Sequence, residues 1–131
     1  MSDERRRAPV TRGWPDAVRT PGTDGWEETA VRWMWGLLPA AWEQYDVFHH
    51  QPLLLARQAD LHLRAEIAGL RHGWSTTRRD LADAGMDPRT VDRLLEVYTV
   101  EGQRLREADL QLQMVTDALV RGIRERMHRH A

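Results

Sequence analysis

From Val91 to Met127 apolar residues recur every three or four positions with no proline to interrupt them: Val91, Leu94, Leu95, Tyr98, Gly102, Leu105, Ala108, Leu112, Val115, Leu119, Ile123 and Met127. The spacing is close to 3.5 residues, the repeat of a helical seam that packs along another helix. Few folds can house such an element. About 40 residues at a rise of about 1.5 Å make a rod of roughly 60 Å. A globule of 131 residues has a radius of gyration of only about 14 Å. Either the rod breaks, at Gly102 or Gly122, or the protein is elongated and exposes seam along its length.

The preceding segment supplies the partner. From His50 to about Ala84 two neighbouring apolar stripes keep helical spacing, one through Leu54, Leu61, Ala65 and Ala68, the other through Ala56, Ala59, Leu63, Ile67, Leu70, Trp74 and Leu81. Two stripes suit a helix with more than one neighbour. Pro52 fits a first helical turn, and Gly73 with Ser75-Thr76-Thr77 is a weak stretch where a bend is expected. Between the two segments lies Ala84-Gly85-Met86-Asp87-Pro88. Gly85 suits a left-handed C′ residue, Asp87 an N-cap, and Pro88 the first position of the next helix. The fold expected is all-α, a long antiparallel helical hairpin over about 50–84 and 88–127, with one or two short N-terminal helices packed on it.

Those short helices begin after Thr23-Asp24-Gly25, with Asp24 as cap and Glu27 and Glu28 at the positive end of the dipole. Pro39 divides the first from a second that runs from Ala40 to about Phe48. Residues 1–25 combine Pro9, Pro15, Pro21, several Gly and many charges without apolar periodicity, the composition of a disordered tail. The organisation expected is therefore a tail, 1–25, and a single helical domain, 26–131.

Composition narrows the function. There is no Cys, so thiolate chemistry and disulfides are out, and any zinc site would draw on His and carboxylates. The 19 basic residues, every one an Arg, nearly balance 20 acidic ones, which argues against an overall electrostatic grip on nucleic acid or an anionic membrane. The longest apolar run, Trp33 to Trp42, falls well short of the roughly 20 residues a membrane span needs, and no secretory signal is visible in the polar, Arg-rich start. A cytoplasmic protein without membrane contact is expected.

Three groups of residues are candidates for interaction. Four of the six Trp lie between Trp26 and Trp42, and Trp33, Trp35 and Trp42 form an aromatic payload that either packs inward or meets a partner. Leu112, Leu119 and Ile123 sit on the seam that a two-helix hairpin leaves partly uncovered; a homodimer or other protein partner would cover it. Arg57, Arg64, Arg71 and Arg78 recur every seven residues, with His50 in phase, and form a line suited to pairing with Glu96, Glu101, Glu107 or Asp109 across a helix pair. Trp14, alone in the tail, is either docked on the domain or a peptide anchor.

Residues 79–95 resemble the two-helix unit of DNA-binding regulators, with Gly85 in the turn and Val91 and Leu94 behind it. In that reading Arg89, Thr90 and Arg93 face the major groove. Asp80 and Leu81 depart from the pattern, and Asp87 and Asp92 set negative charge beside the groove face. The segment 78–93 carries four Arg against four Asp (Asp80, Asp83, Asp87, Asp92), a balance that suits a hairpin tip better.

Chemistry is weakly signalled. His62 and Glu66 at i, i+4 could share a metal, with His49, His50 and His72 elsewhere, but no HExxH pattern or paired ExxH motif is present. Ser75, near His72, lacks the second glycine of a nucleophile elbow. The expectation is a small helical interaction module, self-associating through its seam, with a small DNA-binding regulator as the alternative. No catalytic, cofactor or metal residues are assigned.

Overall fold

The computed structural model describes residues 12–129. Among them the elements are α1 (Trp26–Trp35), a 3₁₀ turn η1 (Ala40–Gln44), α2 (Val47–His50), α3 (Pro52–Asp83) and α4 (Pro88–Arg129), with no strand. The two long helices pack antiparallel as a hairpin, and their ends fall within about two residues of those expected.

The turn works as its residues dictate. Gly85 has φ +80°, a conformation that costs any residue with a Cβ. Its N–H donates to the Ala82 carbonyl at 3.0 Å, and the Met86 N–H donates to the Leu81 carbonyl at 2.9 Å. These are the two bonds of a Schellman motif, which satisfies carbonyls the helix end leaves without partners. The Asp87 carbonyl then accepts the N–H groups of Thr90 and Val91 and opens α4. Gly85→Ala is expected to cost about 1 kcal/mol, read as a lower urea midpoint with an unchanged slope; no shift would mean that the turn relaxes to another conformation.

Neither long helix breaks. The Gly73–Thr77 stretch stays helical, with the Ser75 and Thr76 hydroxyls donating to the His72 carbonyl at 3.0 and 2.7 Å. Such back-bonding satisfies the hydroxyls within the helix. Gly102 and Gly122 likewise lie inside α4. The N-terminal elements differ in detail from expectation. Gly25, at φ +76°, is the N-cap of α1 and no side chain caps it; the Asp24 carbonyl instead accepts from Arg19 Nη1 at 3.1 Å. Beyond Pro39 the expected single helix is two pieces, η1 and α2, separated by Tyr45 in extended conformation.

By its contacts the chain divides into two units, one comprising the residues up to Asp60 together with those from Leu110 onward, the other Leu61–Asp109. In the first unit, Trp26, Ala30 and Met34 are buried at intervals of four along one face of α1. Leu55, Ala56 and Ala59 of α3 are buried with them, as are Leu112, Val115, Ala118 and Leu119 of α4. An ion pair between Glu27 and Arg126, 2.9 Å, joins α1 to the end of α4. Residues 12–25 contain no helix, yet they are packed. Val18 is buried, the Trp14 indole N–H donates to the Val18 carbonyl at 2.8 Å, and the Arg19 N–H donates to Thr29 Oγ1 at 3.0 Å. Residues 1–11, the rest of the expected tail, lie outside the described residues.

The second unit is two helices alone. Leu63, Val91, Leu95, Leu105 and Ala108 are buried. Partners run in opposite directions along the two helices, Arg78 with Asp92 at 2.7 Å and Gly73 with the Tyr98 ring. A Cβ added at Gly73 would lie 3.0 Å from Tyr98 Cε2, so glycine is what lets that ring lie against α3. Gly73→Ala sets this crowding, of the kind that costs about 1 kcal/mol or more in a tight site, against a gain of about 0.5–1 kcal/mol in helix propensity. The partly exposed Tyr98 ring is free to give way, so the net change in the thermal midpoint is expected to be small.

Candidate interaction surface

Two helices side by side bury one stripe each and leave the flanks of the contact open. On one flank of the second unit, Ile67, Leu70, Arg71, Trp74 and Arg78 of α3 face Asp92, Leu95, Glu96, Thr99, Gln103 and Arg106 of α4 across a groove. It comprises two adjoining hollows of about 630 and 290 Å³ that share Trp74 and Thr99. Residues 67, 71, 74 and 78 lie on one edge of α3, and 92, 96, 99, 103 and 106 on one edge of α4, because both sets follow the three–four spacing. Trp74, at the junction, keeps 53% of its surface exposed, and Val100 beside it 62%. The indole is thus half open to water in a depression lined by apolar and charged side chains alike.

The rim is charged at both ends. Arg78 is bound by Asp92 at the hairpin-tip end; by the register that sets Gly73 against Tyr98, Glu96 stands level with Trp74, and Arg71 and Arg106 lie farther from the tip. Glu96, Arg71 and Arg106 form no ion pair among the described residues. The arginine line is thus split in role: of its members Arg78 meets Asp92 rather than Glu96, and Arg71 edges the groove. Glu101 pairs within its own helix, 2.6 Å from Arg104, and the hydrogen bond from that guanidinium holds the Glu101 carboxyl below the usual carboxylate range.

Leu112 and Leu119, expected on a partly uncovered seam, are 1% and 2% exposed. They follow Tyr98 and Leu105 at intervals of seven, on the stripe of α4 that meets α3 at Gly73. Ile123 is half-buried. Trp33, Trp35 and Trp42 are also half-buried. Trp35 stacks on His49 at 4.9 Å and meets Phe48 edge-on at 6.4 Å, while Trp42 contacts Tyr45 and Phe48 at 5.8 and 5.9 Å. These rings largely meet one another and tie η1 and α2 to the end of α1.

Arg89, Thr90 and Arg93 are exposed on the first turns of α4. That helix lies alongside α3 instead of crossing it at the steep angle of a recognition helix. His62 and Glu66 meet at 2.7 Å, and among the described residues no group of three potential ligands gathers. The Ser75 hydroxyl is bonded to a backbone carbonyl and not to an imidazole. No described helix has a stretch long and apolar enough to cross a membrane.

On sequence alone Trp74 is one member of an apolar stripe like its neighbours Leu70 and Leu81. A signal was present: α3 offers two stripes and α4 can cover only one. The stripe through Leu54 and Leu61 turned out to be the open one, each of those residues being 42% exposed, and the covered stripe still leaves its widest side chain half outside. Compared with known proteins, the chain matches no family model, no curated protein and no solved structure.

Proposed function

We propose that the protein is a helical protein–protein interaction module that docks a helical partner in the groove of its second unit. The observation that carries this reading is Trp74, half exposed on the α3 edge of the groove between Arg71 and Arg78. Tryptophan flanked by arginine is the composition of binding hot spots, and a groove between two helices, with Leu70, Leu95 and Tyr98 in its lining, can accept another helix. The DNA-binding reading draws less support, since Asp92 holds Arg78 beside the would-be recognition residues.

The test is site-specific photo-crosslinking in intact cells. A crosslinking side chain at Val100 is expected to yield a discrete protein adduct that disappears in the Trp74→Ala background. The same group at Arg121, exposed in the first unit, is expected to yield none. No adduct at Val100, or one indifferent to Trp74, overturns the proposal.

A further inference from the structure

We infer that residues 39–50 form a strap that opens and closes as one piece, latched onto the end of α1 by Trp35. The inference concerns the first unit and stands apart from the reading of the groove. The strap runs between two anchored leucines. Leu38 and Leu55 are 7% and 0% exposed, and no residue between them is buried. Among the described residues, the hydrogen bonds of the strap all close within it. The N–H groups of Trp42 and Tyr45 donate to the carbonyls of Pro39 and Trp42, and those of Phe48 and His49 to the carbonyls of Tyr45 and Asp46. The His49 Nε2–H donates to the Glu43 carbonyl at 2.8 Å. That bond ties α2 back to η1, and Trp42 joins the same two pieces through its contacts with Tyr45 and Phe48. A segment bonded to itself in this way moves as a body, and none of these hydrogen bonds has to break for it to leave α1.

Both ends can hinge. Pro39 has ψ 142°, and Gln51 has φ −146° and ψ 117°. Each is an extended residue beside a turn of helix, a position that absorbs a change of backbone angle without unwinding the helix. Gln51 accepts the N–H groups of Leu53 and Leu54 through its side chain and its carbonyl, so the first turn of α3 is closed without the strap. The latch is aromatic. Trp35, in the last turn of α1, stacks on His49 and takes the Phe48 ring edge-on. Two such pairs hold far less tightly than the burial that fixes Leu38 and Leu55. Closed, the strap shields the Trp35 indole. Open, it bares Trp35, Phe48 and His49 together while the core of the unit stays shut.

The test is native-state amide exchange of the full chain by NMR, with the variants Phe48→Ala, His49→Ala and Val47→Ala. The amides of Trp42, Tyr45, Phe48 and His49 are expected to share one opening constant, larger than those of Ala30 in α1 and Ala59 in α3. Phe48→Ala and His49→Ala should each raise that constant by about 2- to 12-fold, read at Trp42 and Tyr45, and leave Ala30 and Ala59 unchanged. Val47, in the same short helix, is 53% exposed, and Val47→Ala should change none of these values by more than about twofold. Protection at Trp42 and Tyr45 equal to or above that of Ala30 overturns the inference, since the strap would then open only with its unit. Separate constants at the four amides, or a response confined to the substituted residue, overturn it as well, because the turns would be fraying one at a time. Amides with no protection at all overturn it too, since no closed strap would exist.

Discussion

Leu112→Asp is expected to leave the chain without a stable first unit. Leu112 is 1% exposed and lies in the same unit as Met34, Leu55 and Val115, all fully enclosed. Removing its isobutyl group forfeits roughly 2–3 kcal/mol of apolar burial. The carboxylate put in its place must either be buried without a partner or take up a proton, and either adds several kcal/mol more. The sum exceeds about 4 kcal/mol, an exceptional loss for one substitution and comparable with the whole stability of a small domain, about 5–15 kcal/mol. Leu110→Asp, two residues away and 63% exposed, should change the unfolding free energy from urea titration by no more than about 0.5 kcal/mol. The contrast isolates burial from charge and from position on α4. If Leu112→Asp instead folded with an unchanged midpoint and lost only an oligomeric state, Leu112 would belong to an interface between chains and the three-layer account of the first unit would fail.

The hairpin was legible because its signals are local. The seam from Val91 to Met127 needs only helical spacing, and Gly85 with Pro88 states a turn in two residues. What escaped is tertiary. The sequence offers α3 two stripes and does not say which meets α4, since Leu54 and Leu61 are as apolar as Leu63 and Ile67. The open stripe is known only once the layers are counted. Nor does Val18 announce that residues 12–25 dock. One apolar residue among prolines and charges carries no period, and the bonds beside it, Trp14 to its carbonyl and the Arg19 N–H to Thr29, have no signature in the sequence. The same ambiguity left open whether Leu112 and Leu119 are enclosed, as they are, or free along the seam. It also hid Trp74, whose stripe is apolar throughout but whose ring is too wide for the helix contact, beside a Tyr98 that already fills the space at Gly73.

Met34→Ala is expected to undock the N-terminal layer before the long helices unfold. Met34 is the fully enclosed side chain of α1, on one face with Trp26 and Ala30. Truncating such a residue costs about 2–5 kcal/mol, set by how far the site collapses. Ala30 beside it is itself small and 0% exposed, so little is at hand to refill the space. Helix α1 has ten residues, too few to persist alone in water, and its helicity therefore depends on that apolar face staying docked. The remaining ties are polar and open to solvent: Glu27 with Arg126, and the Arg19 N–H with Thr29 Oγ1. They are worth about 1 kcal/mol or less each, which does not offset the loss. Native-state hydrogen exchange should therefore show the amides of Ala30 to Trp35 losing about 30- to 4,000-fold in protection, while those of Leu95 and Leu105 in the second unit hold theirs. Undocking would bare the apolar face of α1, Trp26 and Ala30 with it, so the variant should also aggregate at concentrations the unaltered chain tolerates. Equal loss of protection in both units would show that the N-terminal layer and the hairpin unfold together, and unchanged protection at Ala30 would show that α1 is held by its polar ties.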